Sequence, residues 1–305
     1  MKLAFAGTPS FAATILRGLL GSEHEVGLVI SQPDRPRGRG RKVTRSPVAE
    51  LATEAGLSLA QPARIGEAAG EISAHDALVV AAYGQILRAD TIYAAPSGPG
   101  TSTPPCSPAT AAPPYRARHH GGEGETGVSL MRMDEGLDTG PFALQLRTPI
   151  PPDMTGGELT AALAELGAKA VVEGMSSLAK KMLTLTEQDN DLATYAPKLG
   201  DEERVIRWGE PVERVHDRVR ALTPHIGARA YHPDLSGPIK VLRARISEKN
   251  VRRGVPGTIL PAKEHILVAC GEGVLEVLEL QAPGSKMLSA PDFLRGRRLE
   301  GTFSS

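Results

Sequence analysis

The chain has 305 residues, enough for one large or two ordinary domains with substantial cores. With 41% apolar and 23% charged residues it is not a disordered chain, and no run of about 18 apolar residues exists to form a membrane-spanning helix. The net charge is zero but uneven: residues 206–305 carry 16 Lys and Arg against 11 Asp and Glu, leaving 19 against 24 for the rest. A basic C-terminal third beside an acidic remainder points to two parts, the second facing an anion. The opening MKLAFAGTPSF lacks the charged-then-apolar layout of a secretion signal, so the chain is expected in the cytoplasm and off the membrane. Cys106 and Cys270 make neither a disulfide framework nor a zinc site, and no metal is expected.

In chain order, Lys2–Ala6 reads as a short apolar strand ending at Gly7-Thr8-Pro9, and Ser10 is the expected cap of a helix to about Leu20. Glu25–Ile30 is a second strand. Ser46-Pro47 opens a helix to about Ala55, with proline at its first position. Leu57–Ala60 is a short strand and Ala77–Ala82 (ALVVAA) a fully buried one. Strands without polar alternation, spaced by helices, predict an open parallel sheet covered on both faces. The turn after the first strand is not a GxGxxG fingerprint, which disfavours a dinucleotide.

From Tyr93 to Gly127 there is no Leu, Ile, Val, Met or Phe over 35 residues, and seven prolines lie between Pro96 and Pro114. No strand or core helix can be drawn there, so the stretch reads as a long loop or a disordered insertion. Order resumes with the strand Thr126–Met133 and the turn Asp134–Gly140. Thr155 can cap a helix to about Leu183. After a linker at residues 189–205 come a helix near Pro211–Leu222 and short strands, among them a hairpin of His265–Cys270 and Val274–Leu280. These strands suggest a small β-barrel as a second domain.

Two features carry chemistry. Asp34–Arg45 (DRPRGRGRKVTR) holds Arg35, Arg37, Arg39, Arg41, Lys42 and Arg45 with two glycines. It can be a solvated loop, but beside a basic C-terminal domain phosphate-backbone binding is the stronger reading. Asp138 follows a strand in a Gly-Leu-Asp-Thr-Gly turn, where it can orient a catalytic histidine or merely cap the next segment. His119 and His120 are adjacent, with no acidic or cysteine neighbour, and make poor metal ligands.

The stretches AFAGTPSFAA, SQPDRPRGRGRKV, VVAAYGQIL, GETGVSLMRMDEGLDTG and LAELGAKAV resemble the methionyl-tRNA formyltransferase family, as do PGTI and the run around Leu275–Gln281. The resemblance covers nearly the whole chain except about residues 95–122. It implies an α/β fold: a Rossmann-like open parallel sheet in residues 1–188, which binds 10-formyltetrahydrofolate, then an OB-like β-barrel in residues 206–305, which helps hold initiator tRNA. It implies transfer of a formyl group to the α-amino group of methionyl-initiator-tRNA, and the chain is expected to be a monomer. The amine attacks the formyl carbon, and the resulting oxyanion needs a donor. By position, Asp138 matches the family's aspartate, and Arg39, with Arg35, Arg37, Arg41 and Lys42 around it, matches the tRNA-contacting loop. Ala82, Gly84, Gln85 and Ile86 match the folate-binding edge.

One segment departs. Where the family has Asn-x-His, this chain has Thr101-Ser102-Thr103, and where it has Ser-Leu-Leu-Pro, this chain has Pro105-Cys106-Ser107-Pro108. A threonine hydroxyl is no base near neutral pH, so Thr103 cannot replace the histidine. A compensated frameshift accounts for the change. Codons for Thr101–Ala112 can be chosen so that reading one nucleotide earlier gives NVHASLLPRYRG, the family's segment, with only third bases free. The shift would enter near Pro96 and leave before Glu123. The literal chain is then expected to lack useful turnover. The alternatives are a non-catalytic tRNA- or folate-binding relative, or a formyl transferase for a small amine. A small amine would need neither the basic loop nor the C-terminal barrel.

Overall fold

The computed structural model describes residues 1–37, 42–96, 99–103, 124–135, 139–189, 191 and 200–304, with the backbone alone described at 37, 42 and 99–103. Two compact units emerge. The first takes the chain from Met1 through most of the long helix near residue 170; the second takes Pro149–Leu159 and the chain from residue 197 onward.

In the first unit, β1 (Lys2–Gly7), β2 (Glu25–Ile30), β5 (Leu59–Ala60), β6 (Ala77–Ala81), β7 (Pro99–Thr103), β8 (Glu125–Arg132) and β9 (Phe142–Pro149) form one sheet. Its order is β5-β2-β1-β6-β7-β8-β9. The pairs β5–β2, β2–β1, β1–β6 and β6–β7 are parallel. Strand β8 runs antiparallel to β7. Two short strands, β3 (Arg35–Arg37) and β4 (Lys42–Thr44), make a separate ribbon. The helices are α1 (Ser10–Leu20), α2 (Pro47–Glu54), α3 (Ala69–Ile72), α4 (Ala89–Ile92) and α5 (Gly156–Ala179), and a 3-10 turn at Ile65–Ala68 precedes α3.

The alternation of side chains along a strand explains why both faces are covered. Ala4 and Ala6 of β1, Leu28 and Ile30 of β2, and Leu78 and Val80 of β6 join a cluster with Ile65, Ala68, Ile72 and Ile92. The intervening Leu3, Phe5, Val29 and Val79 are also fully buried. Helix α1, which buries Phe11, Ile15, Leu16 and Leu19, lies against β1, β2 and β6 on that other face, and α2 packs on β2. Apolar burial at roughly 25 cal/mol per Å² on two faces is the main stabilising term.

Several expectations change. Ser10 is the first helical residue rather than the cap; the cap position falls to Pro9, and no side chain satisfies the end. Ser46 does cap α2, its hydroxyl accepting from the Ala49 amide at 3.0 Å. The third short strand is trimmed to Leu59–Ala60, and α5 stops at Ala179. The stretch read as strandless contains β7, slotted between β6 and β8. Backbone ladders on both sides hold it, and backbone groups pair irrespective of side-chain polarity. The basic segment is not a simple solvated loop either, since its two arms form the β3–β4 ladder.

In the second unit, β10 (Ala228–Ala230), β11 (Ile239–Glu248), β12 (Ile259–Leu260), β13 (Ile266–Ala269), β14 (Val274–Gln281) and β15 (Met287–Ser289) form an antiparallel sheet ordered β10-β11-β14-β13-β12, with β15 on β14. Register shifts along the β11–β14 pair curl it. Bridges Thr258–Thr302 and Tyr231–Ser304 tie both edges to the segment around Phe303, and the sheet is a curled half-barrel. Helix α6 (Val212–Leu222) packs on β11, and α7 (Ala290–Gly296) packs on β14. Trp208 stacks on Phe303 at 5.5 Å in this core. The expected hairpin is β13–β14. No helix among the described residues is long and apolar enough to cross a membrane.

Candidate active site

In an open α/β sheet a ligand crevice lies outside the carboxyl ends of the strands, where the strand order reverses. Here the chain builds β2 on one side of β1 and β6 on the other, so the reversal lies between β1 and β6. The turns leaving β1, β2 and β6 meet there at one atom. The Tyr83 carbonyl accepts from Thr8 Oγ1 at 3.0 Å and from Gln32 Nε2 at 2.8 Å. Gly7 has no room for a side chain: a Cβ would lie 2.6 Å from the Ala12 methyl and 2.8 Å from the Phe5 ring.

The segment after β6 alternates in and out. Ala82 and Gly84 are exposed and Ile86 is 78% exposed, whereas Tyr83 and Leu87 are buried. Ala82 at φ 44° and Gly84 at φ 84° take left-handed backbone, which turns the segment outward. The Gln85 amide pins it: Oε1 accepts from the Ile65 amide at 3.1 Å and Nε2 donates to the Ala63 carbonyl at 3.1 Å. Tyr83 is the anchor, only 2% exposed within the cluster beneath the sheet. Burial, and then the nearby Glu67 charge, pushes its phenol up to about 12. It is a neutral anchor, not an acid or base at physiological pH.

Strand β7 runs beside β6. Thr101 lies opposite Val80 on one side and Met131 on the other, and Thr103 lies opposite Ser129. The backbone of Thr101–Thr103, the positions that the resemblance sets against Asn-x-His, therefore lies alongside and just past the carboxyl end of β6. Pro105, Cys106, Ser107 and Pro108 lie outside the described residues, as does Asp138. The flanks of Asp138 are fixed: the Arg132 amide donates to the Pro141 carbonyl at 2.9 Å, Thr139 Oγ1 donates to Asp134 Oδ1 at 2.7 Å, and Gln188 Nε2 donates to the Gly140 carbonyl at 2.6 Å.

The basic segment leaves the carboxyl end of β2 through Ser31–Asp34. The ribbon pairs Arg35 with Thr44, Pro36 with Val43 and Arg37 with Lys42. Arg35 and Arg45 are exposed, and Val43 is 60% exposed. Arg39 and Arg41 lie outside the described residues. The base is held at Asp34, which accepts from Gln61 Nε2 at 2.9 Å and lies 4.0 Å from Arg45 Nε. Thr8, Gln32 and Gln61 were not singled out from the sequence; the signal available was Gln32's place in the SQPDRP run leading into the basic segment.

In the second unit many of the cations are already paired, among them Arg218 with Glu210, Arg220 with Asp217, Arg243 with Glu158 and Arg245 with Glu276. Among the described residues no group of three His, Cys, Asp or Glu could hold a metal ion.

Residues 1–175 match the "Formyl transferase" family model and residues 198–298 match the "Formyl transferase, C-terminal domain" model. A methionyl-tRNA formyltransferase of Rubrobacter xylanophilus is 57% identical over 303 residues, spanning 99% of both chains. One from Pseudomonas paraeruginosa is 42% identical, covering 98% of this chain and 96% of its own. Among solved structures, an N-formyltransferase of Helicobacter canadensis in complex with folinic acid and dTDP-3-aminofucose superposes with a TM-score of 0.67 at 16% identity, covering 91% of this chain and 98% of its own. At that identity the likeness speaks for the fold: a Rossmann-like sheet followed by a β-rich unit. The family models over both units, with identity over nearly the full length, show that the chain belongs to the methionyl-tRNA formyltransferase family.

Proposed function

We propose that this chain evolved to transfer a formyl group from 10-formyltetrahydrofolate to the amino group of methionyl-initiator-tRNA. On this reading residues 1–188 hold the donor and the tRNA end, and residues 206–305 hold more of the tRNA. The observation that carries it is the junction at the sheet's carboxyl edge: an open, outward-turned segment at Ala82–Ile86 and a basic ribbon at Arg35–Thr44 start from strand ends joined through Gln32. The exposed backbone of Ala82 and Gly84 beside the exposed Ile86 fits a flat heterocycle that needs hydrogen bonds along its edge and apolar cover on one face. Bound there, the folate would supply the formyl carbon. The chain's own part is to hold that ring, exclude water with Ile86 and neutralise tRNA phosphates with Arg35, Arg37, Arg39, Arg41 and Lys42.

A second reading concerns the literal chain, and Thr101 and Thr103 favour it. Without an imidazole and an amide at those positions, base and oxyanion assistance are both missing, and each is worth roughly 10²–10³-fold or more. The chain then binds both substrates but does not turn them over. A formylation assay on this chain, and on one whose Thr101–Ala112 is replaced by NVHASLLPRYRG, separates the readings. Both should bind folinic acid, and both should bind initiator tRNA with strong salt dependence. The replaced chain should formylate at least about 10³-fold faster. Equal rates would refute the loss, and absence of tRNA binding in both would refute the substrate. Arg39→Ala should weaken tRNA binding and leave folinic acid binding unchanged.

A further inference from the structure

We infer that Gln32 and Gln61 are positioning residues: they moor the base of the basic ribbon to the strand ends that form the donor edge. This rests on the reading of that edge and ribbon as the folate and tRNA sites. Gln61, just past β5, uses one amide nitrogen for two acceptors, the Gln32 carbonyl at 3.0 Å and Asp34 Oδ1 at 2.9 Å. Gln32, just past β2, then passes its own amide to the Tyr83 carbonyl at 2.8 Å. Three hydrogen bonds thus run from the ribbon's root at Asp34, across the ends of β5 and β2, to the outward-turned segment after β6.

Each bond joins parts far apart in sequence, and both glutamines are only half-buried, so neither fills the core. The bond to Asp34 is charge-assisted and so stronger than a neutral one. Gly84 closes down on the Gln32 amide, and a Cβ there would lie 2.8 Å from Nε2. The segment and the strut therefore fit as one piece. A ribbon free to pivot at Asp34 would carry the same charges yet deliver them to the acceptor end in many orientations. A moored ribbon presents the tRNA end to the donor edge in one orientation, which is what a reaction between two bound substrates requires.

The test uses the full chain, with folinic acid and transcribed initiator tRNA as probes, plus the rate of tryptic cleavage between Arg35 and Arg45 without ligand. Gln61→Leu should weaken tRNA binding about five- to tenfold, leave folinic acid binding unchanged, and speed tryptic cleavage several-fold. Gln32→Leu should weaken both ligands. Gln61→Glu sets a second carboxylate against Asp34 and should be worse than Gln61→Leu. Adding Asp34→Asn returns a donor to the pair and should recover part of the loss. The inference is overturned if Gln61→Leu changes neither tRNA binding nor cleavage, if both ligands weaken equally with a lower melting temperature, or if the double change recovers nothing. If the unaltered chain binds neither probe, the functional reading fails instead, and the cleavage rates still report the mooring.

Discussion

At the scale of single residues the site depends on close approach. Gly7 ends β1 where α1 begins, and a methyl group there would press on Ala12, Phe5 and the Ala81 carbonyl together. All three neighbours are fully buried and cannot yield cheaply. Gly7→Ala should cost about 1–3 kcal/mol of stability, read by urea unfolding, and should also weaken folinic acid binding by displacing Thr8 from the Tyr83 carbonyl. A variant with unchanged stability and binding would show that the turn has slack. The residues around this point illustrate what a sequence withholds. Gly7-Thr8-Pro9 looks like an ordinary turn, and Gln32 and Gln61 look like solvated polar residues. Their partners lie tens of positions away and become visible only when parallel strands bring their ends into line. Ala82–Ile86 was picked out only by resemblance, and the engagement of Gln85's amide by Ala63 and Ile65 was not visible in the sequence at all.

At the scale of elements, apolar runs located β1, β2, β6 and β8, because buried strands need them. They failed at β7, whose Pro-Gly-Thr-Ser-Thr stretch carries no large apolar residue and is a strand only by pairing with both neighbours. Caps were legible where the side-chain chemistry is complete. Thr155 and Glu158 form a reciprocal box: the Thr155 amide and hydroxyl donate to Glu158 Oε2 at 2.8 and 2.9 Å, and the Glu158 amide donates back to Thr155 Oγ1 at 3.2 Å. These bonds, the backbone one foremost, hold the Glu158 carboxyl below its usual range. Thr155→Ala should therefore lower stability by about 1 kcal/mol, and Thr155→Ser should restore most of it in the same denaturation experiment. Loss in both would mean that the methyl group, not the cap, matters. Ser10 was misread because it is the first residue inside the helix, so the cap position falls to Pro9, whose side chain has no polar atom to accept from a helix amide.

For the molecule as a whole, zero net charge conceals groups whose protonation bears on folding. His216 is 4% exposed in the second unit, its Nε2 3.2 Å from the Ala244 carbonyl and 3.3 Å from Asp153 Oδ1. Burial holds its pKa below the ordinary 6.5, against the opposing pull of the Asp153 carboxylate. In the first unit His24 is shifted the same way, by burial and then by the chain's amino terminus. In each case the unfolded chain takes the proton first as pH falls. The stabilisation is therefore complete above about pH 6.5 and declines as pH drops toward the folded-state value. Trp208, the only tryptophan, is buried in the second unit and reports on it alone. Its urea midpoint should fall between pH 7 and pH 5, and His216→Gln, which keeps an amide donor but cannot take a proton, should shrink that fall. An equal fall in the variant would overturn the assignment to His216, because carboxylates such as Glu276, held below its usual range against burial by hydrogen bonds from Arg245 and His265, lose their stabilisation only below about pH 4.5. The sign is the same for both, because a carboxylate held low in the fold also leaves the unfolded chain to bind the proton first. Only the pH window separates them: the histidine acts just below 6.5, and a carboxylate acts nearer 4.5.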